Sequence, residues 1–180
     1  MKSIIAVCAL MTTTLFYGCQ SQPVQNTVTK TVNVHTVSAE GIGEAIGTIS
    51  FTDSKAGLVI KTDLSKLPTG PHGFHIHQNP SCEPDIKDGV AGAALKAAGH
   101  YDPKQAGVHG HPTGTGHLGD LPVLNVDAQQ NAKQVLIAPR LTLADIQQRA
   151  VMIHAGADNY SDDPQPLGGG GARIACGVIQ

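Results

Sequence analysis

The chain has 180 residues, enough for one domain with a proper core. Apolar residues make up 41%, but aromatics only 3%, with 21 Gly and 11 Pro, which argues against a helical bundle and for short strands joined by ordered loops. A net charge of −2 gives no footing for nucleic acid as a partner.

In chain order, residues 1–18 read as a signal peptide: Lys2 supplies a positive start, and residues 4–16 an apolar run too short to span a bilayer comfortably. The segment LFYGC, followed by the polar run QSQPVQNT, resembles a bacterial lipoprotein processing site with Cys19 as the lipidated residue. Phe16 and Tyr17 are bulkier than that pattern prefers, so cleavage near Gly18 to a soluble periplasmic protein is the alternative. Residues 19–27 read as a polar tether and 28–180 as the folded body. Export to the periplasm places Cys82 and Cys176 in an oxidising compartment. Such a pair reads as a disulfide, with two buried thiols as the alternative.

From Thr29 the pattern becomes strand-like. In TKTVNVHTV, alternation puts Val32, Val34 and Thr36 on one face and Thr31, Asn33 and His35 on the other, leaving His35 exposed. GEAIGTISF, AGLVIKTDL, GFHIHQ, LPVLNVD, KQVLIAP, AVMIHA and ARIACGVI are further short strands, with turns at DSKAG and DAQQN. This predicts an all-β body, an eight-stranded antiparallel sandwich or barrel. A short helix is expected near 142–149, where Thr142 and Asp145 suit a capping pair, and a helical turn is open at the Ala-rich stretch 90–98. Two long loops remain, 79–121 and 156–171, the second ending in four glycines. Structureless loops of that length are uncommon in compact domains unless they are functional.

The chemistry lies in the histidines. Seven of the nine fall between His72 and His117, and His154 closes another strand. Imidazole is the commonest protein metal ligand near neutral pH. His75 and His77 share one face of a strand, a ready clamp that His154 could join. In the long loop, His100, His109, His117 and Asp120 supply three imidazoles and a carboxylate, a closed tetrahedral set that suits structural zinc. The set from the strands suits copper. Spacing alone supports a two-site histidine-rich metalloprotein and does not name a reaction.

GFHIH, GHYDP, GHLGDLPVL, VMIHAGADNYSD and PLGGGGARIACGVI, in that order, resemble the bacterial periplasmic copper/zinc superoxide dismutases. The similarity runs from about Thr29 to Gln180. It implies a Greek-key barrel with one copper and one zinc ion per chain. The reaction implied is dismutation of superoxide to dioxygen and hydrogen peroxide by redox-cycling copper, in periplasmic antioxidant defence. Carried over by position, His75, His77, His100 and His154 are implied copper ligands. His100 bridges to zinc, which His109, His117 and Asp120 complete. Asp158 is implied as a carboxylate linking a ligand of each metal, Cys82 and Cys176 as the family disulfide, and Arg173 as the arginine beside the copper. His72 is expected to brace a loop, and His111, the rival to His109 in GVHGH, to be an exposed bystander. A homodimer is expected, with a monomer as the alternative.

Loop 156–171 has no lysine where relatives often carry them, and holds Asp158, Asp162 and Asp163. Steering of the anion beyond Arg173 is therefore expected from Lys87, Lys96 or Lys104. Two rival functions fit the sequence less well. A periplasmic copper or zinc buffer needs no arginine beside the metal. A metal-assisted hydrolase needs an open zinc position and a general base that the loop lacks.

Overall fold

The computed structural model describes residues 28–180; the expected signal peptide, the tether and Cys19 lie outside them. Eleven strands and one short helix follow in order: β1 Thr29–Ser38, β2 Gly41–Ser54, β3 Gly57–Leu64, β4 Gly70–His72, β5 Phe74–His77, β6 Asp85–Lys87, β7 Val90–Gly92, β8 Leu124–Val126, β9 Ala132–Ala138, α1 Leu143–Ile146, β10 Arg149–His154 and β11 Arg173–Ile179. Seven of them form one antiparallel sheet in the order β5-β10-β11-β1-β2-β3-β9, and β4 pairs with β8. β4 and β5 are halves of one run broken at Gly73, and the turn from Asp127 to Asn131 leads β8 into β9. Counted this way, eight strands close a curled barrel, as the sequence predicts. The pairings β3–β9 and β5–β10 join strands distant in sequence, which is the Greek-key crossing.

Alternation sorts side chains between the two faces of the wall. Val32, Val34, Ile49, Phe51, Leu58, Ile60, Phe74, Ile76, Val151 and Ile153 belong to the large buried cluster inside the barrel. Burying each side chain of this kind contributes about 1.5–3 kcal/mol. A second cluster joins Val37, Cys82, Ala94, Ala97, Ala150, Met152 and Cys176. Ala150 and Met152 alternate along β10 with Val151 and Ile153, so this cluster lies on the outer face, beneath the long loop. Cys82 and Cys176 are disulfide-bonded with a Cα–Cα distance of 5.7 Å, tying that loop to β11.

Three local details refine the expectation. The β1–β2 register shifts between Val34 and His35 and again between His35 and Val37, and Val37 is buried in the second cluster on the outer face, while Thr36 pairs with Ala175 and is half-buried. His35 is consequently half-buried, pairing with Cys176 in β11, and not exposed. In the stretch 90–98 the helical turn is confined to a 3₁₀ turn at Leu95–Ala97, the first part being strand β7, and β6 and β7 form a hairpin within the long loop. The capping pair is present: Asp145 Oδ2 accepts from the Thr142 amide at 2.8 Å and its hydroxyl at 2.7 Å.

Candidate metal centre

The barrel wall itself positions half of the histidines. His75 and His77 pair across to Met152 and Ala150, so they project outward with them, and His154 continues that row at the end of β10. Among the described residues no strand pairs with the other edge of β5; the long loop lies along it. Ile76 donates to Gly119 at 2.9 Å, Tyr101 donates to Ile76 at 2.8 Å, and Gln78 donates to Gly99 at 3.0 Å. The resulting bridges, His75 to Asp120 and His77 to His100, set the loop residues directly beside the strand residues. Residues far apart in the chain thereby converge on one patch.

Two groups of ligand atoms result, His75, His77, His100 and His154, and His75, His100, His109 and Asp120, with the atoms of each within 4.8 Å of one another and all these residues buried. His77 Nε2 is 3.4 Å from His154 Nε2. Asp120 Oδ1 lies 2.9 Å from His100 Nδ1, 3.0 Å from His109 Nδ1 and 3.4 Å from His117 Nδ1. Two donors bound to one tetrahedral ion at ordinary zinc–nitrogen distances stand about 3.3 Å apart, so both spacings suit a shared ion.

Outer contacts decide which nitrogen of each ring is left. His77 Nδ1 donates to the Ala98 carbonyl at 2.9 Å, and His154 Nδ1 to the Gly171 carbonyl at 3.0 Å, freeing Nε2 in each. His75 Nε2 and His109 Nε2 each reach a different oxygen of Asp158 at 2.8 Å. Among the described residues, the buried nitrogens His75 Nδ1, His100 Nε2, His109 Nδ1 and His117 Nδ1 have no hydrogen-bond partner. Buried polar atoms without partners are costly, and four in one cluster are explained if metal ions are their partners. The residues therefore fit two metal ions. His75 lies near both groups, but with Nε2 held by Asp158 only Nδ1 is available.

Charge supports the same fit. Burial, reinforced by the neighbouring imidazoles, pushes His75 and His77 well down and lowers His100. Burial likewise brings His154 down to about 4. These rings are neutral at pH 7, the form a metal requires. Burial opposes a proton on His109, yet Asp120 and Asp158 raise it to about 9. Burial also opposes charge on Asp120, but its close contacts with His100 and His109 hold it well below the usual carboxylate range.

Arg173 opens β11 directly opposite His154. Its guanidinium donates to the Ala94 carbonyl at 2.6 Å and to the Ala98 carbonyl at 2.5 Å. The Ala98 oxygen is therefore shared by Arg173 and His77. Burial lowers the arginine, which stays charged at any working pH. It lines a cleft with Asp85, Lys87 and Leu167.

A family model described as copper/zinc superoxide dismutase matches residues 45–179. The chain belongs to the copper/zinc superoxide dismutase family. Among similar proteins, the "Superoxide dismutase [Cu-Zn]" of Escherichia coli K12 is 51% identical over 150 residues, 83% of this chain and 87% of that protein. The solved copper/zinc superoxide dismutase of Brucella abortus is 48% identical, with a TM-score of 0.84 over 85% of this chain and all of that one. A monomeric copper, zinc superoxide dismutase from Salmonella enterica is 51% identical, with a TM-score of 0.77 over 85% of this chain and 100% of that chain. The protein is accordingly an oxidoreductase acting on superoxide, with one copper and one zinc ion per chain.

In the enzyme, the other expected residues have definite places. His72 is buried, with its ring nitrogens 2.8 Å from the His154 carbonyl and 2.7 Å from the Pro68 carbonyl, a brace between two segments. His111 is exposed and meets the Thr113 hydroxyl at 2.8 Å, outside both ligand groups. Lys87 lies in the cleft of Arg173, whereas Lys104 lines a different cleft with Asp102 and Arg140.

Several supporting residues carry no signal in the sequence. Gly168 sits on Asp158 so closely that a Cβ there would be 2.0 Å from the Asp158 Oδ1 atom, and its φ is +71°; the glycine run is explained at that position. Asp162 accepts from the His109 amide at 2.8 Å and the Leu167 amide at 2.9 Å. Arg140 binds three loop carbonyls. No spacing rule announces these contacts, since each depends on which backbone the fold brings near.

Proposed function

We propose that the enzyme removes superoxide in the periplasm, with copper held by His75, His77, His100 and His154 and zinc held by His100, His109, His117 and Asp120. What supports this reading is His100, which meets Asp120 with Nδ1 while its buried Nε2, without a protein partner, belongs to the group of His75, His77 and His154. When bound, copper supplies one-electron redox chemistry and zinc supplies a fixed positive charge.

The side chains do the rest. Arg173, fixed by two carbonyls, attracts the anion and orients it beside the copper group. His100 holds a proton on Nε2 in one half of the cycle and returns it in the other, with Asp120 fixing the ring through Nδ1. Asp158 orients His75 and His109 together, so the two groups keep one relative geometry. Lys87, in the same cleft as Arg173, adds positive field at the mouth.

Export through residues 1–18 and lipid attachment at Cys19 belong to the same reading and rest on LFYGC and the polar run after it. A homodimer is the expected assembly. The monomeric Salmonella enterica relative makes a monomer the alternative, which light scattering decides.

The test is superoxide consumption by the purified chain with both metals counted. Arg173→Gln should lower the rate constant at least about tenfold and flatten its salt dependence. Its copper and zinc content should stay unchanged. An unaltered rate in that variant would remove Arg173 from the mechanism. Two bound metals without turnover in the parent would point to a metal buffer.

A further inference from the structure

The proposed zinc ligands His109 and Asp120 flank, and His117 ends, a stretch with no strand of its own, PTGTGH, whose conformation must be imposed from outside. Arg140 does this from a rigid corner between β9 and α1. Its neighbour Leu141 is buried, and the Leu143 amide is fastened to Asp53 Oδ1 at 2.8 Å. The half-buried guanidinium donates from Nε to the Pro112 carbonyl at 2.7 Å, from Nη1 to the Gly116 carbonyl at 3.0 Å and from Nη2 to the His117 carbonyl at 2.6 Å. One planar fork thus closes the segment on both sides of its two glycines. Lysine, a single point of donation, cannot reproduce that.

The contact ends on the zinc candidate least secured by burial. The His117 side chain is 12% exposed, against 0–1% for His100, His109 and Asp120. Every copper candidate except His100 sits on β5 or β10 and has no bond to this loop segment. We propose that Arg140 is a positioning residue for zinc, setting zinc affinity through the His117 backbone while leaving copper affinity to the strands. This rests on the reading of His117 as a zinc ligand.

The experiment compares wild type, Arg140→Gln, Arg140→Lys, His117→Ala and the double variant Arg140→Gln/His117→Ala as purified full chains. Zinc and copper affinities are measured separately by chelator competition, and cobalt(II) placed in the zinc site reports its geometry by absorption. Arg140→Gln should weaken zinc about 10–100-fold, the range for partners that orient a ligand, and change copper by less than about threefold. It should also alter the cobalt spectrum. Arg140→Lys should recover only part of the loss. In the His117→Ala background, Arg140→Gln should cost nothing further. Equal loss of both metals, or a lower melting point with unchanged zinc affinity, would make Arg140 a prop of the fold and overturn the proposal. If His117→Ala itself leaves zinc affinity intact, the ligand reading fails instead. If His117→Ala weakens zinc and Arg140→Gln does not, only the role of Arg140 fails.

Discussion

Strands β5 and β10 carry two different chemistries on their two faces. Inward, Phe74, Ile76, Val151 and Ile153 join an apolar cluster that asks nothing beyond close packing. Outward, His75, His77 and His154 enter a layer of imidazoles and carboxylates in which buried nitrogens lack protein partners. The inner face is complete as folded. The outer face is completed by metal, by the disulfide and by polar contacts from loops that have little regular structure. Stability of the barrel and order of the site should therefore be separable.

Metal removal gives the largest separation. A chelated sample should keep its β-sheet circular dichroism and a cooperative transition. Its melting point should fall by about 10 °C or more, as expected when tightly bound ions stabilise only the folded state. Amide exchange should rise in residues 99–121 and 156–171 well before it rises in β1–β3. Loss of the whole sheet on chelation would show that the two faces are one unit.

The disulfide comes next. It closes a loop spanning 94 residues. Replacing Cys82 and Cys176 by serine should cost about 4–5 kcal/mol on the chain-entropy account, read from denaturant midpoints. Because Cys82 anchors the loop carrying His100, copper affinity should fall as well. A variant that loses stability while binding copper normally would show that the loop stays on β5 through its backbone bonds alone.

How much of this was open to sequence follows the same division. The barrel was legible because period-two alternation reports which face is buried, and it fell short only in β1, where the register shifts twice and the outer-face residues Val37 and His35 are buried and half-buried beneath the long loop. The ligand candidates were legible because histidine is rare and clustered here, and the structure brings His75, His77, His100, His109, His117, His154 and Asp120 together. What was hidden is the scaffolding by backbone atoms: the Ala98 oxygen shared by His77 and Arg173, the carbonyls held by Arg140 and the amides held by Asp162. A carbonyl has no residue type, so no pattern of letters marks it.

The smallest effect concerns pH, and it sharpens the contrast because the inner face carries almost nothing that titrates. In the metal-stripped protein His109 is raised from 6.5 to about 9, so its proton stabilises the fold fully below pH 6.5 and this is lost as pH climbs through 9. His154 is lowered to about 4, so above pH 6.5 it is neutral folded or unfolded. As pH falls from 6.5 towards 4, the unfolded chain takes a proton that the fold refuses, and stability drops. His75 and His77 are lowered too and deepen the acid side. The melting point of the stripped protein should therefore pass through a maximum near pH 6.5. Zinc should abolish the alkaline decline, since a nitrogen bound to metal cannot keep its proton. Zinc uptake near pH 7.5 should accordingly release about one proton, measurable by titrating in buffers of different ionisation enthalpy. A stripped protein whose melting point rises steadily from pH 6 to 9, with no proton released by zinc, would mean that His109 is already neutral between its two carboxylates.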